Sequence, residues 1–120
     1  MSNMSTAIYA NGKVDQLYLR WDRDISKRLG VRRKGVVGAK FYTTKSGQPK
    51  VAIRKNPDMD KGYRPLKLSN SGSKADVIRL GVGHMFNNCG ATPTVYRFTG
   101  ETMYVNIPVP FNGNNEHLHL

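Results

Sequence analysis

The sequence predicts a mainly β protein with short helices, in which duplicated strand-helix-hairpin modules form a small barrel or sheet. Three observations support this fold class. Apolar and polar residues alternate with period 2 in several short segments, as they do in half-buried strands. Turn sequences rich in Gly, Ser and Pro separate those segments. The same order of landmarks occurs twice in the 120 residues, which predicts one compact domain made of two repeats, 13–55 and 64–107.

The repeat rests on five landmarks that recur in the same order. In the first repeat they are Leu17-Tyr18-Leu19, Arg28-Leu29-Gly30-Val31, Gly38-Ala39, Ser46-Gly47 and Val51-Ala52-Ile53. In the second they are Leu66-Lys67-Leu68, Arg79-Leu80-Gly81-Val82, Gly90-Ala91, Thr99-Gly100 and Val105-Asn106-Ile107. The offset between matching landmarks grows from 49 to 54 residues, as small insertions would produce. We therefore expect a true duplication, with two unrelated strand-helix-hairpin segments as the alternative.

The first repeat follows residues 1–12, whose small and polar side chains predict a flexible N-terminal arm. Leu17, Leu19 and Trp21 then alternate with polar residues, which predicts a strand. The same alternation places the Trp21 ring in the core, so we do not expect this ring to bind a ligand.

A short helix comes next. Ile25 and Leu29 are four residues apart and share one helical face, and Gly30 can end the helix. Asp22 or Asp24 is a suitable N-cap. The remaining expected elements are strands over 36–44 and 50–54, a linker over 55–65, a strand over 66–68, a helix that a serine caps and that ends at Leu80, a hairpin across Thr99-Gly100, and a flexible tail over 108–120.

Part of the first repeat follows a known motif, carried by Ile25, Leu29, Gly30, Val31, Gly35 and the hairpin around Gly47. Roughly residues 14–55 contain, in order, a strand, a short I-x-x-x-L-G-[IV] helix, a basic or Gly turn and a hairpin. This order resembles the AbrB-like swapped-hairpin DNA-binding family. The resemblance implies a transcription regulator that binds double-stranded DNA as a symmetric dimer, and a duplication would correspond to the family's tandem form. Two positions depart from the family: Val36-Val37-Gly38 replace its acidic residues, and Asp76 aligns with Ile25.

Positive charge is concentrated in the first half of the chain. Residues 1–61 contain 14 Lys or Arg and five Asp, a net charge of +9, whereas residues 62–120 contribute +2. Folding does not require this difference, because both repeats would need similar cores. A strongly basic surface on one repeat indicates a polyanionic partner, and nucleic acid is the first candidate.

The alternation predicts which strand residues point into the core and which point outward. The inward set is Leu17, Leu19, Trp21, Phe41, Thr43, Val51 and Ile53. The outward set, on strands expected to be adjacent, is Tyr18, Arg20, Lys40, Tyr42, Lys50, Ala52 and Arg54. We expect this outward face to bind nucleic acid rather than be an ordinary solvated surface, because cations neutralise phosphates and tyrosine rings stack on bases. The corresponding face of the second repeat keeps only Lys67, Arg97 and Tyr104 and is expected to bind weakly.

Five further cations lie in the helix and in the turn after it, and they are Lys27, Arg28, Arg32, Arg33 and Lys34. A helix dipole alone favours cations near the C-terminus of a helix. Three consecutive cations in the turn exceed what a helix end needs. We therefore expect this group to contact phosphates as well.

The sequence shows no catalytic or metal-binding pattern. His84, His117 and His119 lack metal-ligand spacing with Cys89. The single cysteine excludes an internal disulfide and favours a reducing compartment. No apolar run approaches 18 residues, so no membrane span is expected. We expect a non-enzymatic protein without cofactor or metal, located in the cytoplasm of a bacterial cell, with a size that suits a phage-encoded protein.

Single-stranded DNA binding, in replication or as a transcription cofactor, is the preferred interpretation, because duplex readers seldom need exposed rings beside cations. One alternative is the AbrB-like regulator that binds double-stranded DNA. A second is a factor that binds RNA, a polymerase such as RNA polymerase, or a host protein. The apolar fraction of 38% predicts a thin core, which favours self-association as a homodimer.

Overall fold

The structure, a computed structural model, describes residues 3–10, 15–72, 74–82 and 89–108. They form two five-stranded antiparallel sheets and one short α-helix, so the chain is mainly β, as the sequence predicts. Neither sheet closes on itself within these residues, so of the two predicted forms, barrel or sheet, the barrel is wrong. The predicted C-terminal tail lies outside the described residues beyond Pro108.

The elements are, in chain order, β1 (Met4–Ala10), β2 (Asp15–Asp22), α1 (Arg23–Leu29), β3 (Val36–Thr43), β4 (Pro49–Arg54), a 3-10 turn (Met59–Lys61), β5 (Arg64–Lys67), β6 (Ser69–Ser71), β7 (Ala75–Gly81), β8 (Cys89–Pro93), β9 (Tyr96–Thr99) and β10 (Thr102–Asn106). Sheet A has the strand order β6-β7-β2-β1-β8 and sheet B the order β5-β3-β4-β10-β9. The helix α1 carries the chain from sheet A to sheet B. Both predicted hairpins, β3-β4 and β9-β10, are present. Within the described residues, no helix is long and apolar enough to cross a membrane.

The two sheets share one hydrophobic core, because alternate residues of their strands are apolar. The fully buried side chains include Leu17, Leu19 and Trp21 of β2, Val51 and Ile53 of β4, and Met103 and Val105 of β10. Each contributes about 1.5–3 kcal/mol by removing apolar surface from water. Phe41, predicted inward, is partly buried against this core. Thr43, also predicted inward, is exposed because it lies beside the hairpin turn.

Residues 4–10 form β1, so the predicted flexible arm over 1–12 is wrong for these residues. The strand lies inside sheet A and pairs with β2 on one side and β8 on the other. Met4, Thr6 and Ile8 alternate towards the core and are buried. The intervening residues are small, and this hides the period-2 pattern in the sequence.

The second repeat contains β7 where a helix ending at Leu80 was expected, and that expectation is wrong. Asp76, Ile78 and Leu80 lie opposite inward-facing residues of β2, and Val77 and Arg79 alternate with them on the outer side. This is a period of 2 rather than 3.6. Among the described residues, the strand-helix-hairpin order is therefore present only once.

The predicted short helix is confirmed, but its N-cap is not. Ile25 and Leu29 are buried on one face, and Gly30 ends the helix with a φ of 80°, a left-handed conformation that glycine adopts readily. Asp22 occupies the N-cap position without forming a side-chain cap. Its carboxylate instead accepts a hydrogen bond of 2.8 Å from the backbone nitrogen of Asn3, which ties β1 to the end of β2.

A buried hydrogen-bond network joins β2, α1 and β7. The indole Nε1 of Trp21 donates to Ser26 Oγ at 2.7 Å, and Ser26 Oγ donates to Asp76 Oδ2 at 2.5 Å. Nη1 of Arg23 lies 3.1 and 3.0 Å from the two carboxylate oxygens of Asp76. Asp76 is fully buried, and Arg23 supplies its counter-charge. The network therefore fixes the helix against sheet A.

We predict that Asp76→Ala lowers the free energy of unfolding by about 3–5 kcal/mol, the range for breaking a buried ion pair. The substitution leaves the Ser26 hydroxyl and the Arg23 guanidinium without their acceptor. Chemical denaturation measures the loss, and Asp24→Ala is the control because Asp24 is an exposed acid in α1. Equal losses in the two variants would contradict the structural role of the network.

Candidate nucleic-acid interface

The strand cations are concentrated in sheet B. Its five strands contain no acidic residue and six cations, which are Lys40, Lys50, Arg54, Arg64, Lys67 and Arg97. The charged residues in the strands of sheet A are two cations and three acids, which are Arg20, Arg79, Asp15, Asp22 and Asp76. Both halves of the chain contribute to sheet B. The asymmetry of strand charge therefore distinguishes one sheet from the other.

The outer face of sheet B combines residues from both halves of the chain. The strand register aligns one row across four strands: Lys40, Ala52, Tyr104 and Arg97. Tyr42 and Lys50 lie opposite each other in the next row. With about 4.8 Å between neighbouring strands, the first row spans about 14 Å. The expectation that Arg97 and Tyr104 belong to a separate face of the second repeat is wrong, because β10 pairs directly with β4.

The segment that precedes β5 folds back over this outer face and adds a third tyrosine, Tyr63. Gly38 makes the approach possible, because a Cβ atom there would lie 2.6 Å from the carbonyl oxygen of Asn56 and 2.8 Å from the Cα of Pro57. Ala52, predicted to face solvent, is fully buried because larger side chains surround it on this face. We call the assembled surface the tyrosine-cation face, and it consists of Lys40, Tyr42, Lys50, Arg54, Tyr63, Arg97 and Tyr104.

Cations lie against the rings on the tyrosine-cation face. The Nζ atom of Lys40 is 5.7 Å from the centroid of the Tyr42 ring and 5.1 Å from that of Tyr63. The guanidinium carbon of Arg54 is 5.3 Å from the Tyr63 centroid. These distances are within the range of cation–π attraction. Tyr63, which is buried, therefore supports the face, whereas Tyr42 and Tyr104 are partly exposed on it.

The environment of two tyrosines raises the pKa of their hydroxyl groups. Burial is the main cause for Tyr42, with a smaller contribution from Tyr104, while Arg97 acts in the opposite direction. Burial also raises the pKa of Tyr63, and its side-chain hydrogen bond with Tyr104 adds to the effect. The rings therefore remain neutral beside the cations at physiological pH, which suits stacking.

The chain matches no protein-family model, no curated protein and no solved structure. The AbrB-like resemblance of residues 14–55 therefore stays a prediction, although β2, α1, β3 and β4 follow one another in the order that it implies.

Two of the predicted binding residues, Tyr18 and Arg20, do not belong to the tyrosine-cation face. They lie in β2 of sheet A, whereas Lys40 and Tyr42 lie in β3 of sheet B. Tyr18 and Arg20 line a shallow hollow on the outer side of sheet A. The prediction that all these residues occupy adjacent strands is wrong, because β2 pairs with β1 and β7.

The five predicted helix and turn cations are exposed near the point where the chain enters sheet B: Lys27, Arg28, Arg32, Arg33 and Lys34. The Arg28 guanidinium carbon lies 3.9 Å from the centroid of the Phe98 ring, so this cation also packs against β9. Lys27 and Arg33 line a shallow depression that includes the acids Asp22 and Asp24. The aliphatic part of Lys55 passes beside Gly30, which links the helix end to the end of β4.

Tyr63 is absent from the binding residues predicted from the sequence, and Arg97 and Tyr104 were predicted on a different surface. Tyr63 follows Gly62 in a segment that resembles a linker, and no alternation marks it. The exposed positions of Arg97 and Tyr104 are visible from period 2, but their strand neighbours are not. Among the described residues, no group of three or more His, Cys, Asp or Glu could hold a metal ion. The side chains of His84, His117, His119 and Cys89 lie outside this description.

We predict that the free energy of unfolding decreases above about pH 10 through Tyr63 and Tyr42. The usual tyrosine pKa is 10.0, and folding raises it at these positions. The unfolded chain therefore loses these protons first as the pH rises, so the stabilisation present below pH 10 is lost as the pH passes the folded-state pKa. Ultraviolet absorbance of tyrosinate in native and denatured protein measures the difference.

Tyr63→Phe provides the matched test of this pH dependence. The variant keeps the ring and its contacts with the cations but removes the titrating hydroxyl. We expect stability to fall less steeply with alkaline pH than in the wild type. An unchanged slope would show that the Tyr63 hydroxyl does not contribute.

Proposed function

We propose that this chain is a non-enzymatic protein that binds single-stranded DNA on the tyrosine-cation face and acts in replication or transcription. The observation that carries the proposal is the row arrangement of rings and cations across β3, β4, β10 and β9. The strands of this sheet contribute no acidic side chain that would repel phosphates. The phosphate backbone of a DNA single strand can contact the cations while its bases stack on the tyrosine rings.

The rings favour a single strand over a duplex as the ligand. Tyr42 and Tyr104 are half-buried, so each side chain is held by the surface while part of it remains accessible. Bases of a single strand can stack on such rings, whereas duplex bases are already stacked on one another. Tyr63 contributes indirectly, because it holds Lys40, Arg54 and Tyr104 in place.

The cations supply the greater part of the expected affinity. Lys40, Lys50, Arg54 and Arg97 come from three different strands, β3, β4 and β9, so they are spread over the face rather than clustered at one point. Neutralisation of phosphates by such groups releases condensed counterions and does not depend on base identity. We therefore propose little sequence preference. The exposed basic turn Arg32-Arg33-Lys34 is separated from β3 only by Gly35, and we propose that it adds to the positive charge near sheet B.

We predict that Tyr42→Ala and Tyr104→Ala each weaken binding to a single-stranded oligonucleotide by about 1–3 kcal/mol, the range for loss of a stacking ring. The same variants should lose little affinity for duplex DNA, where phosphate contacts dominate. Fluorescence anisotropy with matched single-stranded DNA, duplex DNA and RNA measures both effects.

Tyr18→Ala is the matched control for the stacking variants, because Tyr18 is a partly buried tyrosine on the outer side of the other sheet. Its affinity should remain close to wild type, and Tyr42→Phe should also bind well because the ring is retained. An equal loss in Tyr18→Ala would contradict the assignment of the face. A clear preference for RNA or for duplex would favour one of the alternative functions.

We predict that binding weakens steeply with salt. If about five phosphates are neutralised, log affinity for a single strand should fall by about 3.5 per decade of salt concentration. Lys50→Ala combined with Arg97→Ala should weaken binding at low salt and reduce this slope by about 1.4, because two cations are removed. The control, Arg20→Ala combined with Lys74→Ala, removes the same charge from the side of sheet A. A flat titration, or equal effects of both pairs, would rule out the electrostatic model.

A further inference from the structure

A cleft lies at one side of the molecule, where β3 of sheet B and β7 of sheet A are each paired with an edge strand over only part of their length. Among the described residues, β5 pairs with β3 only over Val36–Ala39, and β6 pairs with β7 only over Ala75–Val77. The later parts of β3 and β7 border a cleft of about 580 Å³. Its principal lining residues are Lys40, Phe41, Arg64, Leu66, Arg79 and Leu80. The volume is in the usual range for sites that bind small molecules. We call it the edge cleft.

The edge cleft combines concentrated positive charge with an apolar floor. Lys40, Arg64 and Arg79 come from three different strands, and none of the described lining residues is acidic. Lys40 is on the outer side of β3 and Arg79 on the outer side of β7, so the two cations occupy opposite rims. Leu66 and Leu80 pack against the core but remain partly exposed. A fitting ligand therefore has an apolar planar part and a compact, strongly anionic part.

The edge cleft is continuous with the tyrosine-cation face through Lys40. This lysine donates a hydrogen bond of 3.3 Å to the carbonyl oxygen of Lys61 and lies beside the rings of Tyr42 and Tyr63. Its position is therefore fixed at the boundary between the two surfaces. A DNA single strand bound along the tyrosine-cation face towards β5 would therefore reach the edge cleft at Lys40.

We infer that the edge cleft binds the terminal nucleotide of a single strand when that end carries a phosphate group, an inference that rests on the proposed function. A terminal phosphomonoester carries a charge of about −1.5 to −2 at neutral pH, more than the single charge of each internal phosphodiester. Two exposed arginines in addition to Lys40 match this extra charge, and arginine forks bind phosphate oxygens well. The base or sugar of the same nucleotide covers Leu66 and Leu80.

Three versions of one oligonucleotide test this inference, with a 5′-phosphate, with a 3′-phosphate, or with hydroxyl groups at both ends. We expect one phosphorylated version to bind the wild-type protein about tenfold more tightly than the hydroxyl version, as charge-assisted hydrogen bonds would provide. Which version binds more tightly identifies the end that is recognised. Arg64→Ala combined with Arg79→Ala should abolish this preference while binding of the hydroxyl version stays close to wild type.

Arg20→Ala combined with Lys74→Ala is the control, because it removes two cations from the same protein outside the edge cleft and should keep the preference. Equal affinity of all three oligonucleotides for the wild type would overturn the inference while leaving the proposed function intact. A preference for the phosphorylated oligonucleotide that persists in the Arg64→Ala/Arg79→Ala variant would also overturn the inference. Failure of all three oligonucleotides to bind would overturn the proposed function and the inference together. Unchanged melting temperatures establish that the variants remain folded.

Discussion

The buried carboxylate of Asp76 accepts hydrogen bonds from Ser26 and Arg23 of α1, and Ser26 in turn holds the Trp21 ring at the end of β2. A charge in this position is tolerated only because its oxygens are satisfied. The contact decides how α1 leaves sheet A, and α1 is the connection through which the chain enters sheet B. The position of β3, and with it one side of the tyrosine-cation face, depends on this anchor.

The strands of sheet B carry six cations and no acidic residue. Crowded like charges repel one another and reduce the stability of a compact state. Part of this repulsion is offset by rings, since Lys40 and Arg54 lie against Tyr63 and Arg28 lies against Phe98. A polyanion would offset the remainder. Under the proposed function, bound single-stranded DNA should therefore also stabilise this sheet.

The local parts of the structure could be predicted from the sequence and the non-local parts could not. The α1 helix and the two hairpins depend on near neighbours, so spacing and turn residues reveal them. β7 was missed because the inward position held by Asp76 is polar, which breaks the apolar alternation. The partition of strands into two sheets depends on which distant segments pair, and this is why Tyr18 was grouped with Tyr42. Tyr63 has no periodic signal, since loop packing alone positions it.

The pairing of β10 with β4 also governs when the surface comes into existence during synthesis. Residues 36–54 can form the β3-β4 hairpin soon after they leave the ribosome. The second neighbour of β4 is β10, Thr102–Asn106, which is synthesised about 50 residues later. Tyr104 and Arg97 join the face only when the β9-β10 hairpin has paired with β4 through β10. A nascent chain that lacks this segment would therefore carry Lys40 and Lys50 without Tyr104 and Arg97 beside them. Because this pairing joins segments about 50 residues apart in the sequence, we expect it to form late in folding, after residues 96–106 have been synthesised.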